Sequence, residues 1–177
     1  KAGCERVKIG FESGSNRILS RVKKLETREE MLKGAAMLKN AGVPFSGYFM
    51  AGFPGETDEQ FEDTFNVLSD VPMNYFHVFS YSKRKGTPAT TFDGHVPERI
   101  KKERANRLKA LSEHKQTLYR QQFIGKQLQI IVENDGERGM SENYIRVTLP
   151  PDLQAAHQPN DLIPVTITQL NAEATFA

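Results

Sequence analysis

The spacing of apolar residues in the first half of the chain switches repeatedly between two patterns. Short apolar runs predict strands at residues 6–11, 43–51 and 75–81. Apolar residues at helical spacing predict helices at residues 15–24, at residues 27–41 and from Thr57 onward. Thr27 and Thr57 each stand three residues before Glu30 and Gln60, the signature of a capping box. Strands that alternate with helices predict an α/β fold with a parallel sheet.

The second half changes from one long helix to short strands. A helix is predicted at residues 98–122, with Leu108, Leu111 and Leu118 as its apolar stripe. Its eight basic and three acidic residues predict a positive outer face. Strands are then predicted at residues 128–132, 144–148 and 162–168. Short strands joined by polar turns favour a small β-barrel.

These patterns together predict three regions. Residues 1–97 hold three parallel β/α units, too few to close a barrel of about eight strands, so they are expected to be the C-terminal part of a β/α barrel. Residues 98–122 form a basic linker helix, and residues 123–177 form the β-barrel. Gly3 precedes the first strand as a helix-end glycine would, which suggests that the chain starts inside a domain.

The cysteine count, the apolar runs and the charge of the sequence indicate where the protein is located. Cys4 is the one cysteine, which excludes an internal disulfide, and no apolar run is long enough for a membrane span or a signal sequence. A reducing, cytoplasmic location without a membrane partner is therefore expected. Residues 1–122 are net basic and residues 123–177 net acidic.

Loops that follow the predicted strands are the candidate sites for chemistry, because strand ends of β/α folds converge on one rim. In the first loop, Glu12 and Ser13 precede the turn residue Gly14, and hydroxyl or anionic groups of a ligand could bind there. In the second, Gly52 and Gly55 let a flat ligand approach the backbone. The alternatives are a capped turn in the first loop and a type II turn that serves only the next helix.

The third loop combines aromatic and basic residues. His77, Phe79 and Tyr81 share one face of the predicted strand, and the sequence Lys83, Arg84, Lys85 follows. Rings beside cationic groups suit a nucleobase and its phosphates. The alternative is that the rings belong to the core and the basic loop is merely solvated. No loop contains a Ser/His/Asp set or metal-ligand spacing, so no catalytic or metal-binding residue is assigned.

Four strings in fixed order, "ESGSNRIL", "GFPGETDEQFEDT", "HVFSYSKRKGTPA" and "SENYIRV", resemble the radical S-adenosylmethionine (SAM) methylthiotransferases. The third string is most similar to the branch that acts on N6-threonylcarbamoyladenosine in tRNA. The resemblance implies a partial radical SAM β/α barrel followed by a TRAM domain, a small OB-like β-barrel that holds RNA. It also implies SAM, two iron–sulfur clusters whose ligands lie in N-terminal domains, and tRNA as a partner. In this family the reaction begins when an iron–sulfur cluster cleaves SAM to a deoxyadenosyl radical. Because the cluster ligands lie outside this chain, the chain alone is expected to be inactive.

The same resemblance implies roles for individual residues. Those implied at the cofactor are Glu12, Ser13, Lys24, Gly52, Phe53 and Tyr81. Those expected at the substrate or RNA are His77, Ser82, Lys83, Arg84, Lys85, Arg138, Asn143, Tyr144 and Arg146. Glu12 stands where the family usually has Gln, a form also similar to cobalamin-dependent radical SAM enzymes. That class, and an RNA-binding module on an inert barrel scaffold, remain alternatives.

The stretch "RGMSENYIRV" carries the proposed RNA contacts of the second region. Gly139 is expected to make a turn, Ser141 and Asn143 to bond the local backbone, and Tyr144 and Arg146 to share one strand face. The alternative is that Tyr144 packs in the barrel and Arg146 pairs with an acid such as Glu133.

An incomplete barrel also leaves the strand at residues 6–11 exposed as an edge, which predicts dimerisation there.

Overall fold

The computed structural model describes residues 6–171 and 175–177. The chain divides into two compact units, Lys1–Lys115 and Gln116–Ala177. Cys4 and its neighbours lie outside the described residues. The division into regions at residues 97 and 122 stays a prediction.

The first unit contains the predicted parallel sheet. Its strands are β1 (Val7–Glu12), β2 (Phe45–Ala51) and β3 (Phe76–Ser80), in the order β1-β2-β3. Its helices are α1 (Asn16–Arg21), α2 (Arg28–Asn40), α3 (Asp58–Asp70), a 3-10 helix (Pro88–Thr91) and the start of α4 (Glu98–Gln121). Both strand pairs are parallel, so the predicted β/α order is confirmed.

Apolar residues at the predicted spacing form the core of this unit. Phe11, Phe49, Phe61, Leu68 and Leu108 are each almost completely buried in one cluster. Both capping boxes are present, with the threonine side chain accepting from the third helical N–H and the acid or amide side chain accepting from the threonine N–H. Local capping therefore starts α2 and α3 where the sequence predicts.

The prediction of a positive outer face on α4 is wrong for half of its basic residues. Lys101, Arg104 and Arg120 are buried, and burial lowers the pKa of Arg120. Lys115 donates to the carbonyls of Leu68, Ser69 and Val71 at 2.7–2.8 Å, and so caps the C-terminal end of α3. A charge count along a helix does not show that long cationic side chains fold back onto neighbouring backbone.

The second unit is built mainly from a six-stranded sheet. Its elements are β4 (Gln127–Val132), β5 (Arg138–Ser141), β6 (Arg146–Thr148), α5 (Pro151–Ala156), β7 (Leu162–Thr166), β8 (Gln169–Leu170) and β9 (Thr175–Phe176). The strand order is β7-β4-β5-β6-β9-β8, and all pairs are antiparallel except β6 with β9. Alternate residues of β4 and β7 enter the core.

Two features of this unit differ from the prediction. Gly139 lies in β5 rather than in a turn, because a Cβ there would overlap Ile130. The turn falls earlier, where the Gly136 N–H donates to the Glu133 carbonyl at 3.0 Å and Gly136 has φ 69°. Tyr144 has φ 62°, so β6 begins only at Arg146. Close backbone packing, rather than turn formation, explains the glycine at position 139.

Candidate cofactor and nucleic-acid site

Glu12 ends β1 in a strained conformation. It has φ 65°, rare for a residue with a side chain, and the pairing with β2 shifts register between Gly10 and Glu12. The side chain turns back over Gly10, where a Cβ would lie 2.6 Å from Glu12 Oε1 and 3.7 Å from Lys24 Nζ. The structure therefore brings Glu12 and Lys24 together, and such strain is typical of binding sites.

Ser13 is committed to internal hydrogen bonds. It is completely buried, with its Oγ 3.1 Å from Thr64 Oγ1 and accepting from the Ser15 N–H at 3.1 Å. The Gly14 N–H donates to Thr64 Oγ1 at 2.9 Å, and a Cβ on Gly14 would lie 2.7 Å from Thr64 Cα. This geometry favours the capped-turn interpretation for the Ser13 side chain.

The second loop is a glycine-dependent turn. The Glu56 N–H donates to the Phe53 carbonyl at 3.0 Å across Pro54 and Gly55, and Gly55 has φ 79°, as a type II turn requires at its third residue. Gly52 has φ 82°, and a Cβ there would overlap the buried stem of Lys101. Both glycines are therefore required by the backbone itself.

Glu56 is a buried charge that sequence reasoning missed. Its carboxylate accepts from the Gly52 N–H at 2.8 Å and from Arg104 at 2.7 Å, and Arg104 also pairs with Asp58 at 2.7 Å. Burial raises the pKa of the Glu56 carboxyl, although both donors act in the opposite direction. The sequence shows an acid, Glu56, directly after the Pro-Gly turn, but it does not show that this acid pairs with Arg104, 48 residues away.

Phe53 and Tyr81 meet at the carboxyl ends of β2 and β3. Both are buried, their ring centroids are 6.1 Å apart, and they pack with Ile18. The Tyr81 hydroxyl is buried and makes no hydrogen bond to the part of the chain that the structure describes. Lys101 Nζ donates to the Tyr81 carbonyl at 3.1 Å. The cluster thus contains two buried rings and one buried hydroxyl without a hydrogen bond to any described residue.

The basic loop and His77 differ from this cluster in exposure. Ser82, Lys83, Arg84 and Lys85 are all exposed, which fits both a loop that meets phosphates and a merely solvated loop. His77 is half-buried in the middle of β3 and stacks on Tyr48, with ring centroids 5.0 Å apart. The predicted shared face holds only in part, because the rings of His77 and Phe79 both contact Tyr48, whereas Tyr81 lies beyond the end of β3 and contacts Phe53.

Most of the candidate RNA residues of the second unit form ion pairs or hydrogen bonds with nearby residues of the same unit. Arg146 forms an ion pair with Glu133 at 2.9 Å, as the alternative interpretation predicts, and Arg138 donates to Asp135 at 2.7 Å. Ser141 donates to Asn143 Oδ1 at 2.6 Å. Tyr144 is 60% exposed, so it does not fill the core. Both arginine side chains remain on the surface.

Two searches of the described residues concern metal binding and membrane spans. Within residues 6–171 and 175–177, no three His, Cys, Asp or Glu side chains come together as a metal-binding group. In the same ranges no helix has the length and apolarity needed to cross a membrane.

Comparison with known proteins agrees with the motifs. Residues 1–68 match the radical SAM superfamily. A tRNA-2-methylthio-N(6)-dimethylallyladenosine synthase of Protochlamydia amoebophila is 36% identical over 135 residues, 75% of this chain and 30% of the relative. A threonylcarbamoyladenosine tRNA methylthiotransferase of Bacillus subtilis is 36% identical over 149 residues, 78% of this chain and 33% of the relative. A Zymomonas mobilis tRNA-2-methylthio-N(6)-dimethylallyladenosine synthase is 37% identical over 132 residues, 73% of this chain and 30% of the relative. The chain spans about a third of the length of these relatives.

Proposed function

Because the chain is related to the radical SAM tRNA methylthiotransferases, we propose that it is part of an enzyme that adds a methylthio group to a modified adenosine of tRNA. The observation that carries the proposal is the identity of more than a third to such enzymes over about three quarters of the chain. The parallel β/α units fit part of a radical SAM barrel. A cytoplasmic location is part of the same proposal.

Within this activity, N6-threonylcarbamoyladenosine next to the anticodon is the proposed target. The string from His77 to Pro88 supports this branch. Two of the three relatives are named for dimethylallyladenosine instead, and their identities are similar to that of the threonylcarbamoyladenosine relative. N6-dimethylallyladenosine is therefore the second candidate target.

The residues at the strand ends fit SAM. We propose that Phe53 and Tyr81 flank its adenine, and the Tyr81 hydroxyl, which makes no hydrogen bond to any described residue, supports a polar contact there. Glu12 and Lys24 place an acceptor and a donor on the same side of β1. SAM would supply the radical chemistry and the methyl group, whereas these residues bind it and keep its position.

An iron–sulfur cluster does not fit the residues of this chain. Such clusters are held by several cysteine thiolates, and the sequence contains one cysteine. The cluster ligands of the active enzyme are therefore proposed to lie in the N-terminal domains that the relatives' greater length allows for. The chain alone is expected to be inactive.

We further propose that the second unit is a TRAM domain that contacts tRNA. The exposed Tyr144 and the surface residues Arg138, Asn143 and Arg146 support a local contact. The net negative charge of residues 123–177 argues that much of the phosphate attraction comes from elsewhere, and the exposed loop Lys83–Lys85 is suited to provide it.

The test is the activity of the full-length protein with reconstituted clusters. tRNA incubated with this enzyme, SAM and reductant is digested to nucleosides and analysed by mass spectrometry. A mass gain of one methylthio group on threonylcarbamoyladenosine is expected. The same gain only on dimethylallyladenosine would contradict the branch, and no gain on either nucleoside would contradict the proposed function.

A further inference from the structure

Residues 82–94 form one loop whose two ends lie close together. The loop follows β3, carries the exposed basic run at residues 83–85 and contains the 3-10 helix. Tyr81, directly before the loop, and His95, directly after it, have ring centroids 6.2 Å apart and planes 24° from parallel. A loop of this length with close ends is a compact surface element, and such loops often carry function.

The first sheet fixes the start of this loop. The Tyr81 N–H donates to the Ala51 carbonyl at 2.8 Å, which extends the pairing of β3 with β2 by one residue. Lys101 Nζ donates to the Tyr81 carbonyl at 3.1 Å. Both backbone groups of the residue before the loop are therefore held by hydrogen bonds.

Arg21 and Gly55 hold the end of the loop. The Gly55 N–H donates to the Gly94 carbonyl at 2.7 Å, and Arg21 Nη2 donates to the Asp93 carbonyl at 2.9 Å. The Arg21 guanidinium also lies over the Phe92 ring, 5.3 Å from its centroid. One arginine at the C-terminal end of α1 thus contacts two consecutive residues of the loop.

The surroundings of Arg21 direct its side chain toward the protein. A Cβ on Gly55 would lie 3.2 Å from Arg21 Cζ and 3.3 Å from Arg21 Nη1, so the guanidinium packs against this turn. Arg21 Nε is buried and makes no hydrogen bond to the part of the chain that the structure describes. Cations that neutralise RNA phosphates are exposed. Arg21 is therefore placed to order the loop, whereas the basic run at residues 83–85 is placed to meet solvent.

We propose that Arg21 is a positioning residue for tRNA recognition, which fastens the end of the loop and so holds the basic run at residues 83–85 in the conformation that tRNA phosphates meet. Arg21 does not touch the RNA in this arrangement. A loop that is fixed at both ends loses less conformational entropy on binding, so its cations bind more tightly. The proposal rests on the proposed function, in which these cations attract tRNA.

The experiment measures the affinity of the full-length protein for a tRNA transcript with adenosine next to the anticodon, in a double-mutant cycle. Arg21→Met removes the hydrogen bond to Asp93 and is expected to weaken binding about tenfold, equivalent to ~1.4 kcal/mol. In a background in which Lys83, Arg84 and Lys85 are all replaced by methionine, the same substitution should have less than about a twofold effect, because the loop then has no cations to position.

Arg17→Met is the matched control. Arg17 is an exposed arginine one turn earlier on α1, so its replacement removes the same charge and should leave the tRNA affinity unchanged. Hydrogen–deuterium exchange of residues 88–95 should be faster in Arg21→Met but not in Arg17→Met, which tests the fastening without RNA. Far-UV circular dichroism verifies folding. Arg21→Lys keeps a donor but not the planar contact with Phe92, so it should give a smaller loss, and it serves if Arg21→Met does not fold.

Four outcomes would overturn the proposal. They are wild-type tRNA affinity in folded Arg21→Met, an equal loss of affinity in both loop backgrounds, an equal loss in Arg17→Met, or unchanged exchange of residues 88–95 in Arg21→Met. A loss that depends on the basic run, combined with no methylthio gain by the full-length enzyme, would leave the role of Arg21 standing and contradict the proposed function alone.

Discussion

Replacement of Arg104 by methionine tests whether the buried ion pair holds the second loop in place. Arg104→Met keeps an unbranched apolar stem but leaves the Glu56 carboxylate buried, with the Gly52 N–H as its remaining donor among the described residues. Loss of one partner of a buried ion pair costs about 3–5 kcal/mol. The Asp58 pair adds little to this figure, because its carboxylate is 94% exposed. Urea unfolding followed by far-UV circular dichroism at neutral pH measures the loss.

Two controls separate a buried charge from a general effect of the substitution. Arg99→Met removes an exposed pair with Glu103 on the same helix and should cost less than about 0.5 kcal/mol. Glu56→Gln combined with Arg104→Met should cost less than Arg104→Met alone, because the amide oxygen still accepts from Gly52 and no charge is left buried.

The pH dependence gives the refuting result. Burial raises the folded-state pKa of Glu56 above its ordinary value of 4.5, and Arg104 opposes that rise. A raised pKa contributes stability that is complete below the unfolded pKa and is lost as pH rises through the folded pKa. The rise is larger without Arg104, so the penalty of Arg104→Met should be small near pH 4 and grow toward pH 7. A penalty below about 1 kcal/mol, or one independent of pH, would refute the reasoning.

Four further predictions concern other parts of the chain. Gly14→Ala should lower the free energy of unfolding by about 1–3 kcal/mol, because its Cβ would meet the backbone of Thr64. Gly34→Ala, in open space on α2, should raise it by about 0.5–1 kcal/mol. Urea unfolding measures both variants, and equal effects would contradict the packing at Gly14. Lys115→Met should cost about 1–3 kcal/mol in the same assay, because three carbonyls at the end of α3 lose their donor, and a neutral result would show that water replaces it. Arg146→Ala in the full-length enzyme should weaken tRNA binding and reduce the salt dependence, and unchanged tRNA affinity would remove Arg146 from the proposed interface. The chain should dimerise through β1, an edge strand of the described sheet, and a monodisperse monomer at high concentration in analytical ultracentrifugation would contradict this.

The elements of the first unit were predictable because their signals are local. The capping boxes at Thr27 and Thr57 lie within four residues each, and the alternation of apolar runs with helical spacing fixes the parallel order. The bulge at Glu12 was not predictable, since no residue type at that position demands a positive φ. The partner of Glu56 was also hidden, because a contact across 48 residues leaves no periodic trace.

In the second unit, the error at Gly139 has a physical cause. Glycine in a polar segment is read first as a turn residue, yet here it lets Ile130 of the neighbouring strand pack against the backbone. The turn lies instead at Gly136. The strand β5 was not predicted, because Gly139 within it was taken as a turn residue. The pair of Arg146 with Glu133 confirms the alternative interpretation for Arg146, whereas the exposed Tyr144 contradicts the alternative in which it packs in the barrel. The RNA contacts of both residues stay a prediction.

The positions of the buried charges also change where RNA is expected to bind. Lys101, Arg104 and Lys115 use their charges on a carbonyl, a carboxylate and a helix end within the first unit, so these three cannot also neutralise phosphates without giving up those contacts. Exposed cations that face solvent carry the electrostatic attraction for nucleic acid. The exposed run Lys83–Lys85, directly after β3, meets that requirement at the end of the sheet that holds Phe53 and Tyr81. A substrate drawn by this loop would approach the strand ends rather than α4.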